Sequence, residues 1–138
     1  MEVPNVPPSE AMTFRVSLRT RWSDEDTQGV LNNAIYPTLF EEARLFWCRS
    51  FGWLDGLAFP FLLAQTNVVY LSPGRGGAEV TVELATVRVG RTSFEQAYRV
   101  VGEDGAVWCE AQARLVATDP ANWRPVELPA HVRAVLEG

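Results

Sequence analysis

From residue 14 the chain alternates. Phe14, Val16, Leu18, Thr20 and Trp22 are separated by Arg15, Ser17, Arg19 and Arg21. A period of two is that of a strand with one face on a core and the other in water. Residues 14–22 are therefore expected as a strand. A polar loop follows, and then the period changes. Ile35, Tyr36, Leu39, Phe40, Ala43, Phe46 and Trp47 recur at intervals of three and four. That spacing places them on one face of a helix, expected over residues 34–51. Asn32 or Asn33 can cap it, Pro37 is tolerable only in its first turn, and Gly52 suits its end. Leu45, Cys48 and Phe51 widen the apolar surface beyond one stripe, so protein should surround most of this helix.

Strand patterns dominate the rest. Residues 60–71, 78–89, 93–101 and 106–118 read as strands, broken by SPGRGG, GRT and EDG. Short loops between the last three favour antiparallel neighbours. The tail, DPANWRPVELPAHVRAVLEG, closes with a short helix. One strand, one buried helix and four more strands predict an α+β fold, with five twisted antiparallel strands curling around a long central helix. Such a sheet has edges to hide, and pairing between subunits would hide them.

Composition changes this picture at a few points. A chain of 138 residues fits one domain, expected over 13–138 behind a flexible arm at 1–12. The arm, MEVPNVPPSEAM, has three prolines and no basic residue, unlike a secretory signal. No apolar run reaches the ~18 residues that would cross a bilayer. The expectation is a cytoplasmic protein with no membrane partner. A net charge of −5 argues against a nucleic-acid partner. All twelve basic residues are arginine, so any bound anion is held by arginine or by backbone amides. Cys48 and Cys109 lie in apolar patterns and are expected as buried free thiols. Two cysteines and one histidine cannot build a standard zinc site, and no metal or other cofactor is expected.

The acidic loop raises a chemical question, because Asp24, Glu25 and Asp26 stand at the mouth of the most apolar element. Here D-x-D-x-x-G (24–29), the apolar pair Val30–Leu31, the two asparagines, Tyr36 and FEEAR (40–44) resemble the hot-dog-fold acyl-CoA thioesterases, in particular the 4-hydroxybenzoyl-CoA thioesterase-like group. VVYLSP (68–73), GRTSF (90–94) and RPVELP (124–129) add to the likeness, and the order of elements agrees from about residue 13 to 136. The resemblance implies an acyl-CoA substrate and a homodimer or homotetramer with its pocket at the subunit boundary. It implies that Asp26 attacks the thioester or activates water to do so. A thioester carbonyl is electrophilic, so one ionised carboxylate plus an N–H donor for the oxyanion suffices without histidine. The donor would be a backbone amide near a helix start, and Gly29 would let backbone approach the substrate.

Further site residues follow from the same likeness. Asn33 and Tyr36 are candidate substrate contacts; a cap and a packed core ring are the simpler readings of them. Arg91, with Arg88 and Ser93 beside it, would hold coenzyme A phosphates, which arginine grips with charge-assisted bonds. This sequence departs from the family at Val30, where many relatives carry histidine, and at Gly90 and Thr92, where the aryl-CoA enzyme has further basic residues. Gln28 is a candidate to orient water or the carboxylate. Asp24 reads as structural, with Arg21 as its partner. Glu41 and Glu42 read as ion-pair partners of Arg44 or of a subunit neighbour, although a sister branch places a catalytic glutamate on this helix. His131 reads as a surface residue. Two alternatives stand beside hydrolysis: a non-catalytic module binding acyl-CoA or an acyl carrier, and a hot-dog hydratase or dehydratase. The second usually needs histidine, and none lies near the loop.

Overall fold

The structure is a computed structural model that describes residues 3–53 and 61–138. In chain order it contains β1 (Phe14–Arg19), α1 (Ile35–Arg49), β2 (Phe61–Tyr70), β3 (Glu79–Val89), β4 (Ser93–Gly102), β5 (Val107–Ala117) and α2 (Ala130–Glu137). The strands form one sheet in the order β1-β3-β4-β5-β2, with every neighbouring pair antiparallel. This is the α+β hot-dog arrangement that the hydrophobic pattern and the resemblance anticipate. Pro60, expected to open β2, lies outside the described residues.

The helix is held by the residues its period selects. Tyr36, Leu39, Phe40, Ala43, Trp47 and Cys48 are buried on it. Phe40 stacks on Tyr98 of β4 at 5.1 Å between ring centres, and both are fully buried. Burying a side chain of this size is worth roughly 1.5–3 kcal/mol. Pro37 is the third helical residue, where a missing N–H costs no intrahelical bond. Gly52 takes a φ of +73° just beyond the helix. Register shifts between Leu63 and Gln65 and between Thr86 and Arg88 bend the sheet, as bulges do.

Two expectations need correction. The first strand ends at Arg19 instead of Trp22, because residues 22–24 turn as a short 3-10 helix. Trp22 is 78% exposed instead of facing the core. Residues 4–12, expected to hang loose, lie on the sheet face away from α1. Met12 is buried, and with Val6 it packs against Ala85 and Ala97. The Asn5 amide donates to Gln112 and the Ser9 hydroxyl to Glu83. Pattern reading missed this because the contacts come from isolated side chains, Val6, Ser9 and Met12, and from backbone groups, which together leave no hydrophobic period. Met1 and Glu2 of the expected arm lie outside the described residues.

Candidate active site

The acidic loop hangs between β1 and α1 and is stapled at both ends. The Asp24 carboxylate accepts the Arg21 amide at 2.8 Å and the Arg21 guanidinium at 2.9 and 3.2 Å. Its carbonyl accepts the Asn32 amide at 2.8 Å. Burial pushes the Asp24 carboxyl up, but the bonds from Arg21 outweigh it and hold the group below the ordinary 3.8. Glu25 ties the acidic loop to the β2–β3 loop, since its carboxylate accepts the Gly76 amide at 2.9 Å. Leu31 donates its amide to Gly74 at 2.9 Å and pairs across the loop with Glu25.

Asp26 stands at the tip, partly exposed. Its amide donates to the Val30 carbonyl at 2.9 Å and its carbonyl accepts the Gly29 amide at 3.0 Å. One carboxylate oxygen accepts the Gln28 amide at 2.8 Å. This Asx turn orients the carboxylate without tying it to a cation. Gln28 thus holds the acid through its backbone. Gly29 has a φ of +76°, a left-handed conformation that favours glycine. Its amide is turned back onto Asp26, so that N–H is not available as an oxyanion donor.

Tyr36 and Asn33 sit at the start of α1. The Tyr36 ring is buried and meets Tyr70 edge-on at 5.3 Å. Burial, foremost, pushes its hydroxyl up to about 12, against a bond from the Gly74 amide, so the phenol stays protonated at neutral pH. Asn33 is exposed, and its carbonyl accepts the Tyr70 hydroxyl at 3.4 Å. Asn32, of the two asparagines, turns the chain into the helix, accepting the Ala34 amide at 3.0 Å on its side chain and the Ile35 amide at 2.9 Å on its carbonyl.

Sequence reasoning passed over the glycines of the β2–β3 loop, which it read only as a break. A Cβ on Gly76 would sit 2.4 Å from the Arg21 carbonyl. One on Gly74 would sit 2.6 Å from Trp108 and 2.7 Å from the Tyr36 hydroxyl. Gly76 lets this loop lie against the acidic loop, and Gly74 lets it pass close to Trp108 and Tyr36. Three glycines within four residues were the available signal. Beside them a cleft of about 560 Å³ is walled by Trp22, Trp108, Ser72, Pro73 and residues 75–78; Asp26 is not among its lining residues.

Arg88, Arg91 and Ser93 lie elsewhere. Arg19, next to the acidic loop, pairs with Glu79 at one end of β3, while Val89 pairs with Phe94 at the other. At ~3.3 Å per residue the two ends are about 30 Å apart. Arg88 and Ser93 line a cavity of about 320 Å³ with Glu95 and Arg114. Arg91 instead forms an exposed ion pair with Glu127 at 3.1 Å. One chain therefore does not bring Asp26 and these arginines together.

Other side chains take different partners from those expected. Arg44 is buried and donates to the Tyr98 hydroxyl at 2.9 Å instead of pairing with Glu41 or Glu42. Cys48 and Cys109 are buried free thiols, both pushed up to about 12 chiefly by burial. His131 is exposed on α2. Among the described residues no cluster of three or more His, Cys, Asp or Glu could hold a metal ion, and no helix is long and apolar enough to cross a membrane.

Comparison with known proteins gives the chain its family. The thioesterase superfamily model matches residues 28–109. The acyl-CoA thioester hydrolase YbgC of Escherichia coli O6:H1 is 28% identical over 127 residues, spanning 88% of this chain and 93% of that protein. A thioesterase from Thermus thermophilus, crystallised with coenzyme A and Zn, superposes with a TM-score of 0.79 at 31% identity, over 89% of this chain and 91% of that one. The PA5185 protein of Pseudomonas aeruginosa shares the fold with a TM-score of 0.84 at 23% identity, over 94% of this chain and 92% of its own. With a matching model over more than half its length, the chain belongs to the thioesterase superfamily.

Proposed function

We propose that this chain hydrolyses acyl-CoA thioesters to a carboxylate and free coenzyme A, with Asp26 as nucleophile or general base. One observation carries the assignment of Asp26. Of the three neighbouring acids, Asp24 is spent on Arg21 and Glu25 is tethered to the β2–β3 loop by the Gly76 amide, while Asp26 stands at the loop tip and the one described bond of its carboxylate, from the Gln28 amide, lies within its own turn. An acid so placed is oriented yet uncommitted to any cation. The family match and the YbgC likeness support the thioester as its target.

The oxyanion would be met by an N–H of the first turn of α1 or by one from a second copy, since the Gly29, Ala34 and Ile35 amides are engaged. A second copy also answers the 30 Å problem. β2 is an edge strand, and Leu63, Tyr70 and Leu71 on and beside it are exposed. An exposed apolar edge invites pairing. Antiparallel pairing of two β2 strands would set the Tyr70 end of one copy, where Asp26 lies, beside the Phe61 end of the other, where Arg88 and Ser93 lie. The working unit would then be a homodimer with a composite site.

The experiment is a panel of acyl-CoA thioesters, short, long and aromatic, assayed with wild type and Asp26→Asn. Hydrolysis by wild type that the variant loses supports the reading. Binding without hydrolysis by wild type would overturn it in favour of a non-catalytic acyl-CoA module. Light scattering reads the dimer in the same samples.

A further inference from the structure

The cleft of about 560 Å³ beside the acidic loop has the size of a small-molecule pocket, and the chemistry proposed for Asp26 leaves it unused. Two indoles wall it. Trp108, on β5, is buried, while Trp22, in the acidic loop, is 78% exposed. The Trp22 ring lies against Gly77, where a Cβ would stand 3.2 Å from the indole nitrogen. Neither indole N–H has an acceptor among the described residues. The backbone around the cleft is pinned: the Arg75 carbonyl accepts the Thr20 hydroxyl at 2.7 Å, and the Trp108 carbonyl accepts the Leu71 amide at 2.8 Å.

Three charged side chains line the same cleft: Arg75, Glu103 and Asp104. One Glu103 oxygen accepts the Glu79 amide at 3.1 Å, and one Asp104 oxygen accepts the Ala106 amide at 2.9 Å. The other oxygen of each, and the Arg75 guanidinium, have no partner among the described residues. Elsewhere on the surface Arg91 pairs with Glu127 at 3.1 Å and Arg133 with Glu137 at 3.0 Å. Arg75 shares a cleft with two acids and pairs with neither. The cleft therefore offers a cation, two half-free carboxylates and two aromatic walls on a fixed frame, and such preorganisation lowers the cost of binding.

We infer that this cleft is a second binding site, separate from that of the thioester, and that it takes an aromatic α-amino acid. The planar ring packs against Trp22 and Trp108. The carboxylate takes the guanidinium fork of Arg75, and the ammonium takes the free oxygens of Glu103 and Asp104, with the indole faces adding cation–π attraction. A plain aromatic acid would meet two like charges, and a plain aromatic amine would leave Arg75 unpaired and repelling it. Only a ligand with both charges matches the three groups. The inference stands on the cleft alone and does not depend on the thioesterase reading.

Titration calorimetry of the whole chain with L-phenylalanine, phenethylamine (no carboxylate) and hydrocinnamate (no ammonium) tests it. Phenylalanine is expected to bind about tenfold tighter than either, the scale of one charge-assisted bond. Arg75→Gln is expected to weaken phenylalanine and hydrocinnamate about tenfold and not to weaken phenethylamine. Asp104→Asn should keep the turn to Ala106, weaken phenylalanine and phenethylamine, and tighten hydrocinnamate. Trp22→Ala should weaken all three ligands, and melting curves check that each variant stays folded. No binding of phenylalanine to wild type, equal binding of the three ligands, or an Arg75→Gln variant that binds them as wild type does would overturn the site. Saturating phenylalanine should also leave KM for the best acyl-CoA of the panel unchanged. A KM that rises in proportion to phenylalanine would put the amino acid in the thioester's own site and refute a second one. If wild type hydrolyses no acyl-CoA, the thioesterase reading fails and the titrations alone decide the cleft.

Discussion

Residues 21–24 and residues 26–30 belong to one loop and treat their aspartates in opposite ways. In the first stretch Asp24 is buried and accepts three bonds from Arg21. In the second Asp26 is partly exposed and its carboxylate accepts from one backbone amide. A carboxylate saturated by a cation has little basicity or nucleophilicity left, because protonating it or moving it breaks bonds. A carboxylate aimed by a neutral amide keeps both. On the proposed function, two residues of the same chemistry, two positions apart, would divide the work of building the turn and of meeting the substrate.

The sharpest way to break this comparison is to exchange the roles by mutation. Asp26→Asn keeps the shape and the Gln28 bond but removes the charge. It is expected to lower kcat by roughly 10²–10⁴-fold, the usual scale for losing a positioned acid or base, with KM and the melting temperature little changed. Steady-state kinetics on an acyl-CoA and a melting curve read both at once. An active Asp26→Asn enzyme would move the chemistry to another group.

Asp24→Ala should do the reverse. It removes the acceptor for the Arg21 amide and guanidinium, a loss of about 1–3 kcal/mol by the cost of unmade bonds. Calorimetry should show a melting point lower by several degrees, and kcat well below that temperature should stay within a few-fold of wild type. If Asp24→Ala instead removed activity with an unchanged melting point, the division of labour would be wrong.

How far the sequence already contained this division can be argued from particular positions. The fold was readable because period two and period 3.6 are imposed by geometry on every apolar face, and Val16, Leu18, Phe40 and Trp47 obey them. Asp24 as a partner of Arg21 was readable because three residues is the reach of a turn. What could not be read is what depends on contacts distant in the chain. Glu25 meets Gly76 across 51 positions, Arg99 meets Pro7 across 92, and Arg91 meets Glu127 across 36. None of these partners has a periodic signature. Arg114 was overlooked for the same reason: its place opposite Glu95 is a matter of strand register, which short loops suggest but do not number.

The pH dependence of stability sharpens the comparison further. Arg21 holds the Asp24 carboxyl below its ordinary 3.8 in the folded chain, so the unfolded state takes up that proton first as pH falls. The stabilisation is complete above about pH 4 and is lost as pH drops through the lower, folded value. The melting-point gap between wild type and Asp24→Asn should therefore be constant near neutrality and shrink as pH falls below 3.8. A gap unchanged across that acid range would mean that Asp24 acts through packing instead of charge.

The smallest effect expected tests the turn itself. Gly29 has a φ of +76° but open space where a Cβ would go, so Gly29→Ala meets conformational strain and no clash. The cost should be about 1–2 kcal/mol, and Gly29→Asn should recover part of it because asparagine enters this region more easily. If Gly29 serves only to close the turn beneath Asp26, kcat and melting point should fall together in alanine and rise together in asparagine. If its backbone instead lies against the substrate, as the family resemblance implies, both variants should raise KM while asparagine restores the melting point alone. The split between those two columns of numbers separates a glycine that shapes the acid from one that touches the thioester.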